Sequence, residues 1–477
     1  MSGKIEPQNL LFILSDEHNR KIAGCYGHPF VRTPNIDALA AGGTLFSSAY
    51  CNSPICVPAR ASLATGRYVH ETGCWDNASP YRGEPASWHR VARDNGVEVI
   101  SVGKLHFRGG DDYGFTEELL PLHVVNGQGD LKGLFRKSPP KKKGTADLAA
   151  SAGRGTSSYA QYDARIAAMA EEWIGRRAAA GSTAPFVLFV SFVMPHFPLI
   201  APDEYYDLYA GYGLDELTWR LSAPASDHPT IGRMRRYFDY DRHFDPQTRA
   251  VALRAYFGMV TRLDELVGAV VAALGRHGIA DRTRIVYASD HGDNLGNRGM
   301  WGKSVMYEDS VAVPLIVAGA DVPAGRTVAT PVSLIDIAPT VFHATGVTAG
   351  TDLPGRSLID LARAEAPDRV VFSEYHAAGS ETGVFMIRKR NWKYVAYVDE
   401  RPQLFDLDAD PDELVDLWDD PARRGVLDEL QAALAAICDP AEVNARAFRD
   451  QSARIAASGG RRRIEESVDI PFTPAPA

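Results

Sequence analysis

One stretch of this chain carries the residue types of a nucleophile site. It reads Cys56-Val57-Pro58-Ala59-Arg60 and continues Ala61-Ser62-Leu63-Ala64-Thr65-Gly66-Arg67. Pro58 suits the first turn of a helix, where its missing N–H costs nothing, and Gly66 suits the far end. Cys56 then falls at or just before a helix N-terminus, where backbone N–H groups favour an anion. Arg60 follows one turn later on the same face. A nucleophile at an anion-binding helix end, beside a fixed cation, points to chemistry on a sulfate or phosphate ester. Asp16, Asp290 and His291 offer hard donors suited to a divalent cation. Such an ion beside a nucleophile polarises the ester.

The elements that must position these groups alternate strand with helix. Residues 9–15 form a short apolar run that predicts a buried parallel strand, with Asp16-Glu17-His18 at its end. Further strands are predicted over 97–102, 186–193, 284–288 and 314–318. Helices are predicted from Pro34, over 159–177 and over 248–275. Gly103-Lys104-Leu105-His106, Pro195-His196-Phe197-Pro198 and Ser289-Asp290-His291-Gly292 each follow a strand, where open α/β sheets bind ligands. The predicted fold class is α/β: a large mixed, mostly parallel sheet sandwiched by helices, with a smaller antiparallel sheet near the C-terminus. The expected division is a catalytic domain over 1–365, an α+β subdomain over 366–458 and an extended tail over 459–477. Residues 132–154, basic and rich in small residues, read as a solvated mobile insertion.

The Cys56–Arg60 motif with its Leu-x-Thr-Gly-Arg extension resembles the signature of the type I sulfatases, of the alkaline phosphatase superfamily. Lys104 and His106 in Gly-Lys-x-His, His196 in Pro-His-x-Pro, and Lys303 after Met300-Trp301-Gly302 match further motifs of that family, in its order. Gln403-Leu404-Phe405-Asp406-Leu407 with Asp410-Pro411 resembles its C-terminal hairpin. The resemblance implies that Cys56 is oxidised to formylglycine, whose hydrate attacks sulfur, and that a formylglycine-generating enzyme matures the chain. It implies a divalent metal on Asp16, Glu17, the modified Cys56, Asp290 and His291. Glu17 stands where the family more often has Asp or Gln. Calcium is the expected ion, and the His ligand makes manganese the alternative. Arg60, Lys104, His106, His196 and Lys303 are the implied catalytic partners, with Lys104, His196 and Lys303 also binding the sulfate. The alternative activity within the superfamily is hydrolysis of phosphonate monoesters or phosphodiesters. A non-catalytic relative is disfavoured because every expected position is filled.

Within the family, the choline-sulfatase-like branch shares Tyr26-Gly27-His28-Pro29, Trp75-Asp76-Asn77 and a tail ending in Thr-Pro-Ala-Pro. That likeness implies a homo-oligomer and draws attention to Trp75, Trp88, Glu374 and Tyr375 as parts of an aromatic and acidic pocket. His376, in Glu374-Tyr375-His376, is expected on the alcohol side of the substrate. Composition bounds the rest. The chain has 477 residues, 45% hydrophobic, and a net charge of −9. The acidic balance disfavours nucleic acid, and the five cysteines have no CxxC spacing. With no run of membrane-spanning length, the expectation is a cytoplasmic enzyme acting on a small sulfate ester. The tail over 459–477 is expected to be irregular or laid over a neighbouring surface.

Overall fold

The computed structural model describes residues 7–140, 144–348, 350, 352–468 and 472–476. Eight strands build one twisted sheet: β1 (Asn9–Asp16), β2 (Gly43–Phe46), β3 (Glu98–Lys104), β4 (Glu117–Leu122), β5 (Phe186–Pro195), β6 (Thr283–Ser289), β7 (Leu315–Gly319) and β8 (Arg326–Val328). Their order is β8-β2-β7-β6-β1-β5-β3-β4. β7 is antiparallel to both its neighbours, and the remaining pairs are parallel. The central strand β1 is buried along its whole length. Leu10, Phe12 and Leu14 face one apolar layer, and Leu11 and Ile13 face the other. That period of two, with both faces covered, explains why the strand reads as a continuous apolar run. Each such side chain contributes about 1.5–3 kcal/mol by leaving water.

Helices close both faces. α1 (Pro34–Ala41) takes Pro34 in its first turn and buries Ile36, Leu39 and Ala40. α2 (Cys56–Thr65) is buried at every residue and ends at Gly66, whose φ of 66° is the left-handed cap a glycine takes without strain. α3 (Ser158–Ala179) and α4 (Pro246–Arg276) pack on the Leu11–Ile13 side. Ser157 and Asp245 cap them by accepting from the amides of Ala160 and Thr248.

A separate antiparallel sheet follows, β9 (Val370–Tyr375), β10 (Val384–Lys389), β11 (Trp392–Tyr397) and β12 (Glu400–Asp406), in chain order. α5 (Arg424–Ala435) and α6 (Pro440–Ala457) cover it. Val69 and Trp75, from the N-terminal part of the chain, share its apolar cluster.

Two expectations change. The 132–154 segment is structured: a short helical turn spans Leu131–Leu134, a helix spans Gly144–Ser151, and Gly153–Arg154 pairs with Ile200–Ala201. Leu134 and Ala149 are buried and anchor it against neighbouring elements. Lys141, Lys142 and Lys143 lie outside the described residues. The 459–477 tail begins with a helix, Gly460–Glu465, whose Ile464 is buried. Residues 472–476 then lie on this chain, with the Phe472 ring against Tyr159. Residues 469–471 and 477 lie outside the described residues. No helix among the described residues is long and apolar enough to cross a membrane.

Candidate active site

Five chain segments meet at the carboxyl ends of β1, β3, β5 and β6 and the N-terminus of α2. Asp16 ends β1, Lys104 ends β3, Pro195 ends β5 just before His196, and Asp290 and His291 follow β6. Parallel pairing sets these ends side by side in register. Two glycines make the approach possible. A Cβ on Gly103, at φ 101°, would sit 2.3 Å from the Ser191 carbonyl oxygen, and one on Gly292 would sit 2.1 Å from that of Asp309.

Arg60 is the keystone. Its Nε donates to Asp290 Oδ2 at 2.7 Å and its Nη2 to Asp16 Oδ2 at 3.0 Å. Its Nη1 donates to the Lys104 carbonyl at 2.6 Å and to Ser191 Oγ at 2.9 Å. One guanidinium thus ties α2 to three strands, a fork geometry that lysine cannot supply.

The Cys56 Sγ lies 3.2 Å from His291 Nε2 and 3.9 Å from Asp16 Oδ1. His291 Nδ1 is 3.0 Å from the Gly292 carbonyl, which assigns the proton to Nδ1 and leaves the Nε2 lone pair toward the sulfur. Lys104 Nζ is 2.5 Å from Asp16 Oδ2, and Lys303 Nζ is 2.7 Å from Glu17 Oε2. His196 Nε2 approaches Glu17 Oε2 at 3.4 Å. His106 Nε2 meets Thr473 Oγ1 at 2.9 Å.

Burial and charge set the protonation states. Burial pushes Asp16 up, but Lys104, His196 and Arg60 outweigh it and hold its carboxyl well below the usual range. Burial holds Glu17 well above that range despite Lys303. Burial, with Lys104 for His106 and with Lys303 for His196, drives both imidazoles well below the ordinary histidine value. Burial, then Asp16, pushes the Cys56 thiol up to about 11, so it stays protonated near neutral pH.

Asp16, Cys56, Asp290 and His291 place four donor atoms within 4.8 Å of one another, and Asp16, Glu17 and His196 form a second such group. Glu17 Oε1 is buried without a hydrogen-bond partner among the described residues. Mostly hard donors around an orphaned carboxylate oxygen fit a divalent cation.

These groups form the floor of a cavity of about 700 Å³. Cys56, Lys104, His106, His196 and Lys303 line it, with Asp16, Glu17, Arg60, Asp290 and His291 behind them. Its apolar lining is Leu148, Phe197, Tyr237, Phe238, Tyr240 and Phe472, with the Phe197 ring 4.1 Å from that of His196.

His376 does not line this cavity. Its Nε2 sits 2.9 Å from Glu374 Oε2, and Glu374 Oε1 meets His70 Nδ1 at 2.8 Å. Trp75 and Trp88 are buried in apolar clusters, so of the four residues considered for a cationic substrate only Tyr375 reaches the cavity wall. The reason is strand alternation: on β9, Glu374 and Tyr375 point to opposite faces.

Sequence reasoning missed Asn77, whose Oδ1 accepts from the Val57 amide at 3.1 Å, capping α2 from outside the helix while lining the cavity. It also missed the aromatic wall from Tyr237 to Tyr240. The aromatic density of Tyr237-Phe238-Asp239-Tyr240 was a usable signal, and Asn77 stood in the Trp75-Asp76-Asn77 stretch with no role assigned to it.

The sulfatase family model matches residues 8–347, and a second model, N-sulphoglucosamine sulphohydrolase, C-terminal, matches residues 296–439. The chain belongs to the sulfatase family and is a sulfuric-ester hydrolase. It is 33% identical to a choline-sulfatase of Rhizobium meliloti (strain 1021), over 90% of this chain and 85% of that one. It is 30% identical to arylsulfatase K of Danio rerio, over 85% and 79%. A putative sulfatase of Bacteroides thetaiotaomicron shares the fold at a TM-score of 0.72 and 22% identity, over 99% and 98%. The phosphonate monoester hydrolase of Agrobacterium radiobacter does so at 0.70 and 23%, over 90% and 95%. That last likeness is one of fold alone, so hydrolysis of phosphonates is the less supported activity.

Proposed function

We propose that this sulfatase works through Cys56 in its formylglycine form, with Asp16, Glu17, Asp290 and His291 holding a divalent metal. The observation that carries the reading is the convergence of Arg60, Lys104, His196, His291 and Lys303 on the α2 N-terminus around a buried sulfur. The high thiol pKa supports it too, because an unassisted Cys56 is a weak nucleophile at neutral pH.

Formylglycine supplies a geminal diol, one hydroxyl to attack sulfur and a second to expel sulfate. The metal, when bound, polarises the ester and lowers the pKa of the attacking hydroxyl. The chain's own residues do the rest. Lys104 and Lys303 bind the sulfate oxygens and offset charge that grows on them. Arg60 fixes Asp16 and Asp290, and Asp290 accepts the proton of the attacking hydroxyl. His196, once a bound sulfate offsets its neighbouring lysines, protonates the departing alcohol from Nε2. His106, neutral and with Nδ1 unpartnered, takes the proton of the second hydroxyl. The aromatic lining of the cavity favours an apolar or aryl alcohol over a polyol. Calcium remains the expected ion. A homo-oligomer and a cytoplasmic site belong to the same reading.

The decisive experiment is peptide mass of the purified protein, with rates on matched 4-nitrophenyl sulfate and phenylphosphonate esters. Formylglycine at Cys56 shows as a loss of about 18 Da. An unmodified thiol in fully active protein sinks the nucleophile, and faster phosphonate turnover sinks the substrate class. Chelation is expected to lower both activity and melting temperature, with calcium restoring both; unchanged values would remove the metal.

A further inference from the structure

His196 is held in place by a segment that has left the sheet. β5 pairs with β1 through Leu14 and Ser191, and the next pair is Asp16 with Pro195. One residue of β1 thus faces three of β5, Phe192, Val193 and Met194, between those pairs. On the other edge, the last β5 partner on β3 is Ser191, opposite Gly103. The bulge frees the amides of Val193 and Met194 from both ladders in a fully buried region. Orphaned buried N–H groups are costly, so something must accept them.

Asp163, in the second turn of α3 and fully buried, does so with both oxygens. Val193 N donates to its Oδ1 at 2.8 Å and Met194 N to its Oδ2 at 2.7 Å. The turn then closes with His196 N donating to the Val193 carbonyl at 3.0 Å. One helical turn before Asp163, the Tyr159 ring meets the His196 ring edge to face, 6.1 Å apart at 76°. α3 therefore holds His196 twice, through its backbone and against its ring. Burial raises the Asp163 carboxyl to about 7 even against the two amide bonds, an expense that hydrophobic packing alone would not require.

We propose that Asp163 is a positioning residue for His196: by gripping the two amides that the bulge releases, it aims the imidazole at the leaving-group oxygen. The inference rests on the reading of His196 as the leaving-group acid. A carboxylate suits the task because two parallel N–H donors need two acceptors on one rigid fork. Asparagine offers one acceptor and turns a donor against the other amide.

The test is a series of sulfate esters running from 4-nitrophenyl to alkyl leaving groups, assayed with the wild type, Asp163→Asn, Asp163→Ser, His196→Ala and the Asp163→Asn/His196→Ala double variant. Good leaving groups need no acid, so loss of an acid grows along the series. His196→Ala is expected to lose about 10²–10⁴-fold on the alkyl ester and far less on the aryl one. Asp163→Asn and Asp163→Ser are expected to lose about tenfold or more on the alkyl ester and about twofold on the aryl one, a partial version of the same acid loss. The double variant is expected to show the leaving-group dependence of His196→Ala alone. The alkyl-to-aryl ratio of kcat/KM does not depend on the fraction of protein folded or matured, so a poorly folding variant still reports. A flat loss across the series in both Asp163 variants, with a steep one in His196→Ala, overturns the inference and leaves His196 its role. A flat loss in His196→Ala removes that role and the inference with it.

Discussion

Two clusters of buried charge sit on either side of this molecule's middle, and they behave differently. One lies where β11 meets the catalytic sheet. Lys393 Nζ is 3.0 Å from Glu308 Oε1 and 2.7 Å from Glu413 Oε1, and Arg20 closes on Glu308 Oε2 at 2.7 Å. Arg388 and Tyr50 complete it. Burial opposes the Glu308 charge, but Lys393, Arg20 and Arg388 bring the carboxyl down to about 2. The other is the candidate active-site cluster, with three carboxylates and three long cations of its own. There, among the described residues, Glu17 Oε1 and His106 Nδ1 have no hydrogen-bond partner, and the cluster borders a cavity. Both clusters are equally desolvated. The difference is where the unspent hydrogen-bonding capacity points: inward on itself at the junction, into open volume at the site. Buried charge alone therefore marks neither catalysis nor stability. Charge that is left incomplete beside a cavity marks a ligand.

The sharpest way to break that comparison is Cys56→Ala. It is expected to cost about 10⁴-fold or more in kcat, the scale seen when a covalent nucleophile is removed. The melting temperature is expected to stay within a few degrees; a large drop would mean that the site, like the junction, is structural. The converse is Lys393→Met, which takes the ammonium from Glu413 and leaves Glu308 to Arg20. A loss of about 3–5 kcal/mol in urea unfolding is expected, with kcat/KM per folded molecule nearly unchanged. Lys303→Ala tests a cation that faces the cavity: kcat/KM on 4-nitrophenyl sulfate should fall about 10²–10³-fold, with the smaller effect on stability.

The smallest effect sharpens the comparison by pH. Burial works against the Glu374 charge, yet the bonds from His376 and His70 bring its carboxyl to about 2 from the ordinary 4.5. A folded pKa below the unfolded one contributes stability that is present above pH 4.5 and lost as pH falls toward 2. Glu374→Gln should flatten that part of the acid-unfolding curve. An unchanged slope would mean that His376 and His70 do not stabilise the carboxylate.

Legibility in the sequence followed the range of the forces involved. The strands at 370–375 and 392–397 and the helix beginning at Pro34 were readable because alternation, helix starts and turn residues are local signals. The strands β2 and β8 were not, since four and three residues carry too little periodicity, and β4 reads Glu-Glu-Leu-Leu-Pro-Leu, whose proline argues against a strand. Residues 132–154 read as a solvated insertion because lysines and small residues dominate. Tertiary packing overrode that composition and made Thr145 and Leu148 part of the cavity wall. His376 was expected on the alcohol side because Glu374-Tyr375-His376 precedes a Gly/Ser-rich loop, but its ring is taken up by Glu374 instead.

The sequence by itself carried the candidate chemistry: a cysteine and an arginine one helical turn apart, and histidines, lysines and aspartates at strand ends or in the loops that follow them. Those are properties of local order, and parallel pairing converts them into a site without further information. Only the tertiary structure decided which of the groups meet. Arg60 joins three strands, Asn77 caps α2 from a distant loop, Asp163 takes up amides freed by a bulge in β5, and Thr473 reaches His106 from the chain's far end. Each of these contacts satisfies a polar group that the fold has removed from water. That requirement does not exist until the chain is packed, so no local pattern encodes it.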